Sequence, residues 1–439
     1  MRSRIYREIF GAMYYNVFYM EKVITVTVKL KDQSDDWSLE NLSEELKLLA
    51  HTVKGEIVGE IKCNRQSPTP SLYLGTGKIK ELAELSLQTK ADTIIFNNDL
   101  SPTQQKNIED ELGVKTIDRT QLILDIFARH AKTQEGKIQV ELAQLQYLLP
   151  RLMGKGIALS RLGGGIGTRG PGEQKLEIDR RRVKKRIDLL KQDIKALEIR
   201  RGHLRKRRIE NALSTIALVG YTNAGKSTLL NAISSAQVKV KNEMFSTLDP
   251  VTKKVTLPEN NLKVLISDTV GFLHKLPHHL IDAFKATLEE IRDAELLLVV
   301  LDISSELIVQ HHDAIWEVLR ELGAQDKPII YVLNKVDNLG DVDEQTKLRI
   351  IERFQRKFNN CVAISAKLKI NTDQLIKLIE QNLINTITVV KIFLKYSKIN
   401  LLNTLHEQGK VLHCEYRDNG VYVEAKLPVL IAKKVLTEI

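Results

Sequence analysis

The sequence predicts a multidomain α/β protein: a P-loop domain preceded by a small α/β domain with a long antiparallel helical arm and followed by a small α+β domain. Three observations predict it. β-branched, buried-type runs alternate with helical stretches over residues 22–118 and again over 213–386, the pattern of layered sheets with crossover helices. Between these blocks, apolar residues recur every 3.5 residues. A glycine-bearing loop at Gly220–Ser227 lies between a buried strand and a helix. A chain of 439 residues accommodates about three domains at roughly 150 residues each.

The elements follow in order. Residues 1–20 are basic and aromatic, and Met13 and Met20 are alternative starts, so this stretch is read as an extension outside the fold. Val23–Leu30 is a strand. Ser38 caps a helix carrying Leu39, Leu42, Leu46 and Leu49. Glu56–Cys63 and Asp92–Phe96 are strands, and Lys78–Leu87 between them is a helix. Gly75–Lys78 reads as a plain helix N-terminus. Ser101-Pro102 starts another helix and Val114–Ile117 closes the set. Residues 21–119 thus form the first α/β subdomain.

Residues 120–212 form the arm. Gln121–Leu149 contains no proline and reads as one helix, with Ile138, Leu142, Leu145 and Leu149 on a seam. A second seam runs through Leu176, Val183, Ile187, Leu190, Ile194, Leu197 and Leu204, with Arg180 and Arg201 as polar interruptions. Two helices of about thirty residues give an antiparallel hairpin about 45 Å long. The linker, within 150–172, carries eight glycines in the nineteen residues Gly154–Gly172, together with Lys155, Arg161 and Arg169. Residues 213–386 are the P-loop domain, with strands at Thr215–Val219, Leu262–Ile266, Glu295–Asp302, Pro328–Leu333 and Val362–Ile364. Residues 387–439 give a strand, a helix, a hairpin at Asn419-Gly420 and a last helix from Val429.

Charge is unevenly placed. The net charge is +11, yet residues 151–210 carry 19 Lys/Arg against 7 Asp/Glu, and the other 379 residues carry 47 against 48. One segment is therefore basic, which points to a polyanionic partner. No apolar run approaches the roughly 18 residues of a membrane span. Cys63, Cys361 and Cys414 are scattered and odd in number, which fits a reducing cytoplasm. The histidine pairs 278–279 and 311–312 have no third ligand spacing and are read as surface residues. Trp37 and Trp316 are read as core.

The motifs specify the chemistry. Gly220, Tyr221, Thr222, Asn223, Ala224, Gly225, Lys226 and Ser227, followed by Thr228, form a P-loop. Its amides face phosphates, Lys226 reaches the β- and γ-phosphates, and Ser227 offers its hydroxyl to Mg²⁺. Asn334, Lys335, Val336 and Asp337 end a buried strand. Asp337 can accept two hydrogen bonds from guanine, a pair that adenine does not present. Lys335 would lie along the base and Asn334 would tie this loop to the P-loop. Ser365, Ala366 and Lys367 follow the last strand, where the Ala366 amide can meet guanine O6. Asp268, Thr269, Val270 and Gly271 end another strand, with Asp268 on Mg²⁺ through water and the Gly271 amide on the γ-phosphate. Phe245, Ser246, Thr247, Leu248 and Asp249 form the switch segment, and either Thr247 or Thr252 can supply a second hydroxyl to Mg²⁺. Phe272 stands where many GTPases carry a water-orienting glutamine, so slow intrinsic hydrolysis is expected.

The chain resembles the HflX family of ribosome-associated GTPases, within the Obg–HflX group. The resemblance rests on the Arg169–Glu173 segment RGPGE, the P-loop GYTNAGKS, the switch segment FSTLDP, DTVGF, and Asp118–Gln121 with the helix after it. It implies Mg²⁺-dependent GTP hydrolysis in a P-loop GTPase domain, with Lys226, Thr247 and Gly271 in catalysis and Ser227 and Thr247 as metal ligands. It further implies a protein that binds rRNA of the large ribosomal subunit, reaches its peptidyl-transferase region with the arm, and dissociates or rescues stalled or idle ribosomes under stress. Separately, the chain is expected to act as a monomer in the cytoplasm. Ser246 departs from the alanine that many relatives carry. The competing readings are a passive RNA-binding protein with a regulatory nucleotide site, a metabolic P-loop kinase, and a weak membrane association of the basic segment.

Overall fold

The computed structural model describes residues 20–31, 37–152, 171–210, 213–234, 244–245, 249–275, 285–340 and 343–438. Residues 1–19 and most of the glycine-rich linker, including Lys155, Arg161 and Arg169, lie outside them, as do Ser246, Thr247, Leu248 and His278-His279. The chain divides into two compact units, Met1–Ile126 with Tyr147–Ile178, and Phe127–Gln146 with Asp179–Ile439. Among the described residues, no helix is long and apolar enough to cross a membrane.

The first unit is built on a parallel sheet. Strands β1 (Lys22–Leu30), β2 (Glu56–Arg65), β3 (Thr93–Phe96) and β4 (Lys115–Ile117) lie in the order β2-β1-β3-β4. β1 is buried from Val23 to Val28, as a strand covered on both faces must be. Ile24, Val26 and Val28 pack with Ile79 and Leu82 of α2 (Thr76–Thr89) and Ile108 of α3 (Pro102–Leu112). α1 (Leu39–Thr52) buries Leu42, Leu46 and Leu49 and is capped by the Ser38 hydroxyl, which accepts from the Asn41 amide. Ser101 and Gln104 form a reciprocal capping box ahead of α3, with Pro102 in its first turn.

Asp118 is fully buried at the start of α4 (Arg119–His130). Its carboxylate accepts from the Gln121 amide at 2.8 Å, the Leu100 amide at 3.2 Å and Arg151 Nη2 at 2.8 Å. Burial raises its pKa, and the amide bond and the Arg151 charge oppose that shift. The Arg151 guanidinium also lies 3.5 Å from the Tyr147 ring centroid.

The helix read as continuous from Gln121 to Leu149 is two, α4 ending at His130 and α5 (Gln134–Arg151) starting afresh. The break is made by a distant residue. The Asp249 carboxylate accepts from the Lys132 amide at 2.8 Å and the Thr133 amide at 2.9 Å, while Thr133 Oγ1 accepts from the Gly136 amide at 3.0 Å. Backbone donors at that point are satisfied by side chains rather than by the preceding turn.

α6 (Pro171–Glu210) is 40 residues long, about 60 Å. Within the second unit its seam follows the expected spacing. Val183, Ile187, Leu190, Ile194, Leu197 and Arg201 are buried or half-buried, whereas Ile178, Leu189 and Ile199 are exposed. α5 runs antiparallel to it: Glu141 pairs with Arg186 at 2.7 Å and Glu135 with Arg201 at 3.1 Å.

The second unit also holds a six-stranded sheet. β5 (Ser214–Gly220), β6 (Val251–Leu257), β7 (Leu262–Asp268), β8 (Leu296–Asp302), β9 (Ile329–Asn334) and β10 (Cys361–Ala363) lie in the order β10-β9-β8-β5-β7-β6. All neighbours are parallel except β6, which returns antiparallel along β7. The helices are α7 (Lys226–Ile233), α8 (Lys285–Asp293), α9 (Ile308–Glu321), α10 (Glu344–Lys357) and α11 (Thr372–Asn382). Ile216, Leu218, Leu298, Val300, Ile330 and Val332 form the centre of its core. α6 ends against α8 through Arg201–Glu289 at 3.3 Å, Arg205–Asp293 at 2.5 Å and Arg208–Glu290 at 3.1 Å. A three-stranded antiparallel sheet follows: β11 (Ile387–Lys395), β12 (Lys410–Arg417) and β13 (Gly420–Pro428), ordered β11-β13-β12, with α12 (Asn400–Gln408) and α13 (Val429–Glu438).

Candidate functional site

The order β10-β9-β8-β5-β7 places the strand order reversal beside β5, and ligands of open α/β sheets lie beyond the carboxyl ends of strands at such a point. Four chain segments converge on that edge. The P-loop leaves β5, Asp268–Gly271 leaves β7, Asp302 ends β8 and Asn334–Asp337 leaves β9.

The loop conformation explains its residues. Gly225 has φ +96 and Asn223 φ +59, left-handed values that glycine adopts freely and asparagine tolerates. Gly225 opens α7, so the first amides of that helix point into the loop. Lys226 is buried, and its Nζ donates to the Gly220 and Tyr221 carbonyls at 3.0 and 3.1 Å. Burial lowers its pKa to about 8, opposed by the Asp268 charge. A desolvated ammonium held only by carbonyls is a strong receptor for phosphate oxygens.

Ser227 Oγ donates to Asp268 Oδ2 at 2.5 Å. This hydroxyl–carboxylate pair is a hard-oxygen donor set of the kind that suits Mg²⁺, bound directly or through water. A Cβ at Gly271 would stand 2.8 Å from Thr222 Cα and 3.1 Å from Lys226 Nζ, so only glycine lets this backbone approach the loop. Thr269 Oγ1 donates to the Leu218 carbonyl at 2.6 Å and Val270 is buried, so both act in holding the segment. Thr252 lies on β6 with its hydroxyl 2.9 Å from Ser267 Oγ. The described switch residues hold partners of their own: Asp249 the amides at the start of α5, Phe245 the ring of Phe127.

The segment after β9 is tied to the P-loop through Asn334. Its Nδ2 donates to the Ala224 carbonyl at 2.9 Å, and its Oδ1 accepts the Ala366 amide at 3.0 Å. Lys335 takes φ +67 and its Nζ pairs with Asp302 at 2.8 Å. Asp302 escaped sequence reading, although an acid ending a buried strand on this edge was a usable signal. Asp337 Oδ1 is buried and has no hydrogen-bond partner among the described residues, which fits an acceptor awaiting the N–H groups of guanine. Ser365 is buried, and its Oγ accepts the Leu368 amide at 3.1 Å. Lys367 is exposed.

Two histidines depart from expectation. His311 stacks on Tyr221 with centroids 3.9 Å apart, and His312 lies among Trp316, Tyr331 and Phe358. Both are half-buried rather than surface residues, because α9 packs this side on the sheet. Trp37 is core, and Trp316 is half-buried with Nε1 donating to Tyr331 Oη at 3.0 Å.

Three family models match consecutive stretches: a GTP-binding GTPase N-terminal region at residues 40–128, a GTP-binding GTPase middle region at 130–208, and a 50S ribosome-binding GTPase at 215–335. The chain is 44% identical to GTPase HflX of Caldanaerobacter subterraneus subsp. tengcongensis over 94% of its length and 93% of that protein. It is 37% identical to GTPase HflX of Escherichia coli K12 over 90% and 92%. A GTP-binding protein of Sulfolobus solfataricus, solved with GDP, aligns over 83% of this chain and 99% of that one, at 24% identity and TM-score 0.44. With a nucleotide site of this geometry and relatives matched almost end to end, the chain is a GTPase that uses GTP and Mg²⁺ and belongs to the HflX family.

Proposed function

We propose that this GTPase binds the large ribosomal subunit through its basic helix and linker and uses GTP binding and hydrolysis to split or rescue stalled ribosomes under stress, as a monomer in the cytoplasm. The observation that carries the reading is the outward charge of α6. Its seam is shielded, while Arg182, Lys184, Lys185, Lys191, Lys195 and Arg200 are exposed along it. A dense cationic helix joined directly to a nucleotide domain suits rRNA phosphates better than a small substrate. The description of the matched GTPase model as ribosome-binding supports the same reading.

In the nucleotide site, Lys226 binds the β- and γ-phosphates and the Gly271 amide meets the γ-phosphate. Ser227 and Thr247 would hold Mg²⁺, which would supply charge neutralisation at the phosphate oxygens. Asp337 accepts from the guanine edge, and Asn334 keeps that loop in register with the P-loop. Loss of the γ-phosphate releases the switch segment and with it the ribosome.

The test is sedimentation with purified ribosomal subunits, in GDP and then in a non-hydrolysable GTP analogue. Co-sedimentation with the large subunit that depends on the analogue is expected. Equal binding in both nucleotides would remove the switch from the proposal, and no binding would remove the partner.

A further inference from the structure

We propose that Asp249 is a positioning residue for GTP hydrolysis, clamping the switch segment onto the junction between α4 and α5. The described residues on either side of Ser246–Leu248 are each anchored. Phe245 is buried at 2% exposure with φ +56, a left-handed conformation that a bulky aromatic adopts only when packing enforces it. The packing is an edge-on contact with Phe127 of α4, ring centroids 4.7 Å apart. Four residues later, the Asp249 carboxylate takes the Lys132 and Thr133 amides at 2.8 and 2.9 Å, and Thr133 Oγ1 donates to its other oxygen. The two anchors bracket Ser246–Leu248 in sequence.

The recipient side is shaped for this carboxylate. A Cβ on Gly136 would run into the Asp249 carboxylate, although alanine would otherwise favour the first turn of a helix. The bonds to Lys132 and Thr133 are exposed, so water can replace them and the clamp can open at modest cost. Seating of the switch segment and capping of α5 are then one equilibrium. A nucleotide that favours one arrangement of the segment biases the helix start, and the reverse holds by linkage.

The proposal rests on Thr247 belonging to the switch, and the experiment separates the two. Full-length wild type, Asp249→Ala, Asp249→Asn, Gly136→Ala and Thr247→Ala are compared for GDP affinity, kcat and Mg²⁺ dependence of hydrolysis. Asparagine keeps an acceptor for the two amides and a donor for Thr133 Oγ1, so Asp249→Asn should stay near wild type. Asp249→Ala and Gly136→Ala should each lower kcat about tenfold and raise the Mg²⁺ requirement, with GDP affinity unchanged as evidence of folding. Hydrogen exchange at the Lys132 and Thr133 amides should differ between GDP and a GTP analogue in wild type, and not in Asp249→Ala.

Two outcomes overturn the clamp. One is that Asp249→Ala and Gly136→Ala hydrolyse GTP like wild type while Thr247→Ala is impaired. The other is that Asp249→Asn fails as badly as Asp249→Ala, which would make the negative charge, not the cap, the active feature. Normal hydrolysis by Thr247→Ala instead removes the switch assignment on which the clamp depends.

Discussion

Asp337 gives the sharpest single-residue test of base selection, because its buried Oδ1 has no hydrogen-bond partner among the described residues. Asp337→Asn replaces an acceptor with a donor facing the donor edge of guanine. GTP affinity should fall by about 10²-fold or more. A xanthine nucleotide, which carries a carbonyl in place of the exocyclic amine, should bind the variant better than wild type. Equal GTP affinities in a competition assay would take Asp337 out of base reading. Phe272 bears on rate. Its amide donates to the Gly220 carbonyl at 3.0 Å, its carbonyl accepts from the Thr222 amide at 2.9 Å, and its ring is buried. A ring fixed in this way cannot orient an attacking water. Single-turnover hydrolysis by the isolated protein should stay below about 10⁻² s⁻¹ and rise with the ribosomal partner, whereas fast intrinsic turnover would refute the argument. His312 bears on pH. Burial lowers its pKa below 6.5, against the Asp313 carboxylate. The folded state therefore takes up a proton less readily than the unfolded chain. Stability present above pH 6.5 is lost as pH falls through the folded pKa. Urea midpoints of His312→Gln should decline less than wild type between pH 6.5 and 5.

At the scale of elements, periodicity was legible wherever burial is local. The seam on α6 was readable because Val183, Ile187, Leu190, Ile194 and Leu197 face away from solvent while their neighbours do not. The P-loop and Asn334–Asp337 were readable because their backbone roles demand particular residue types. The break between α4 and α5 was not readable, since its cause, Asp249, lies 116 residues further along the chain from Thr133. β6 escaped for another reason. Val255 and Leu257 are buried and Val251 packs half-buried against the core, but an edge strand with Lys253 and Lys254 reads as polar turn. Arg201 looked like an interruption of the seam, and the fold gives it a purpose. It pairs with Glu135 at 3.1 Å and Glu289 at 3.3 Å and is about one-fifth exposed. Burial raises the Glu135 pKa, and Arg201 is the charge that opposes this. Arg201→Ala should cost about 1–3 kcal/mol in denaturant unfolding, because two half-buried carboxylates lose their counter-charge. Arg182→Ala, whose pair with Asp179 at 3.5 Å is exposed, should cost less than about 1 kcal/mol. Equal costs for the two would mean the Arg201 pairs are screened like a surface bridge.

At the scale of the molecule, the net charge of +11 resolves into a neutral body and one basic segment. A charge run on a helix is most often a solvated face. The placement argues otherwise. The cations on α6 stand outward beside a seam already occupied by α5, while Arg201, Arg205 and Arg208 fix the end of the helix to α8. The acids of α6 are too few to neutralise the charge kept outward on a helix pinned at its base, and on the proposed reading a polyanion would supply what is missing. Counterion release then makes the affinity salt-dependent, by about 0.7–0.9 in the slope of log K against log[salt] per phosphate contact. Reversing Lys184, Lys185, Lys191 and Lys195 to glutamate should weaken large-subunit binding at low salt and reduce that slope by about 3, while GTP affinity stays as in wild type. An unchanged slope would assign binding to other parts of the chain and leave the charged face of α6 as a solvated surface.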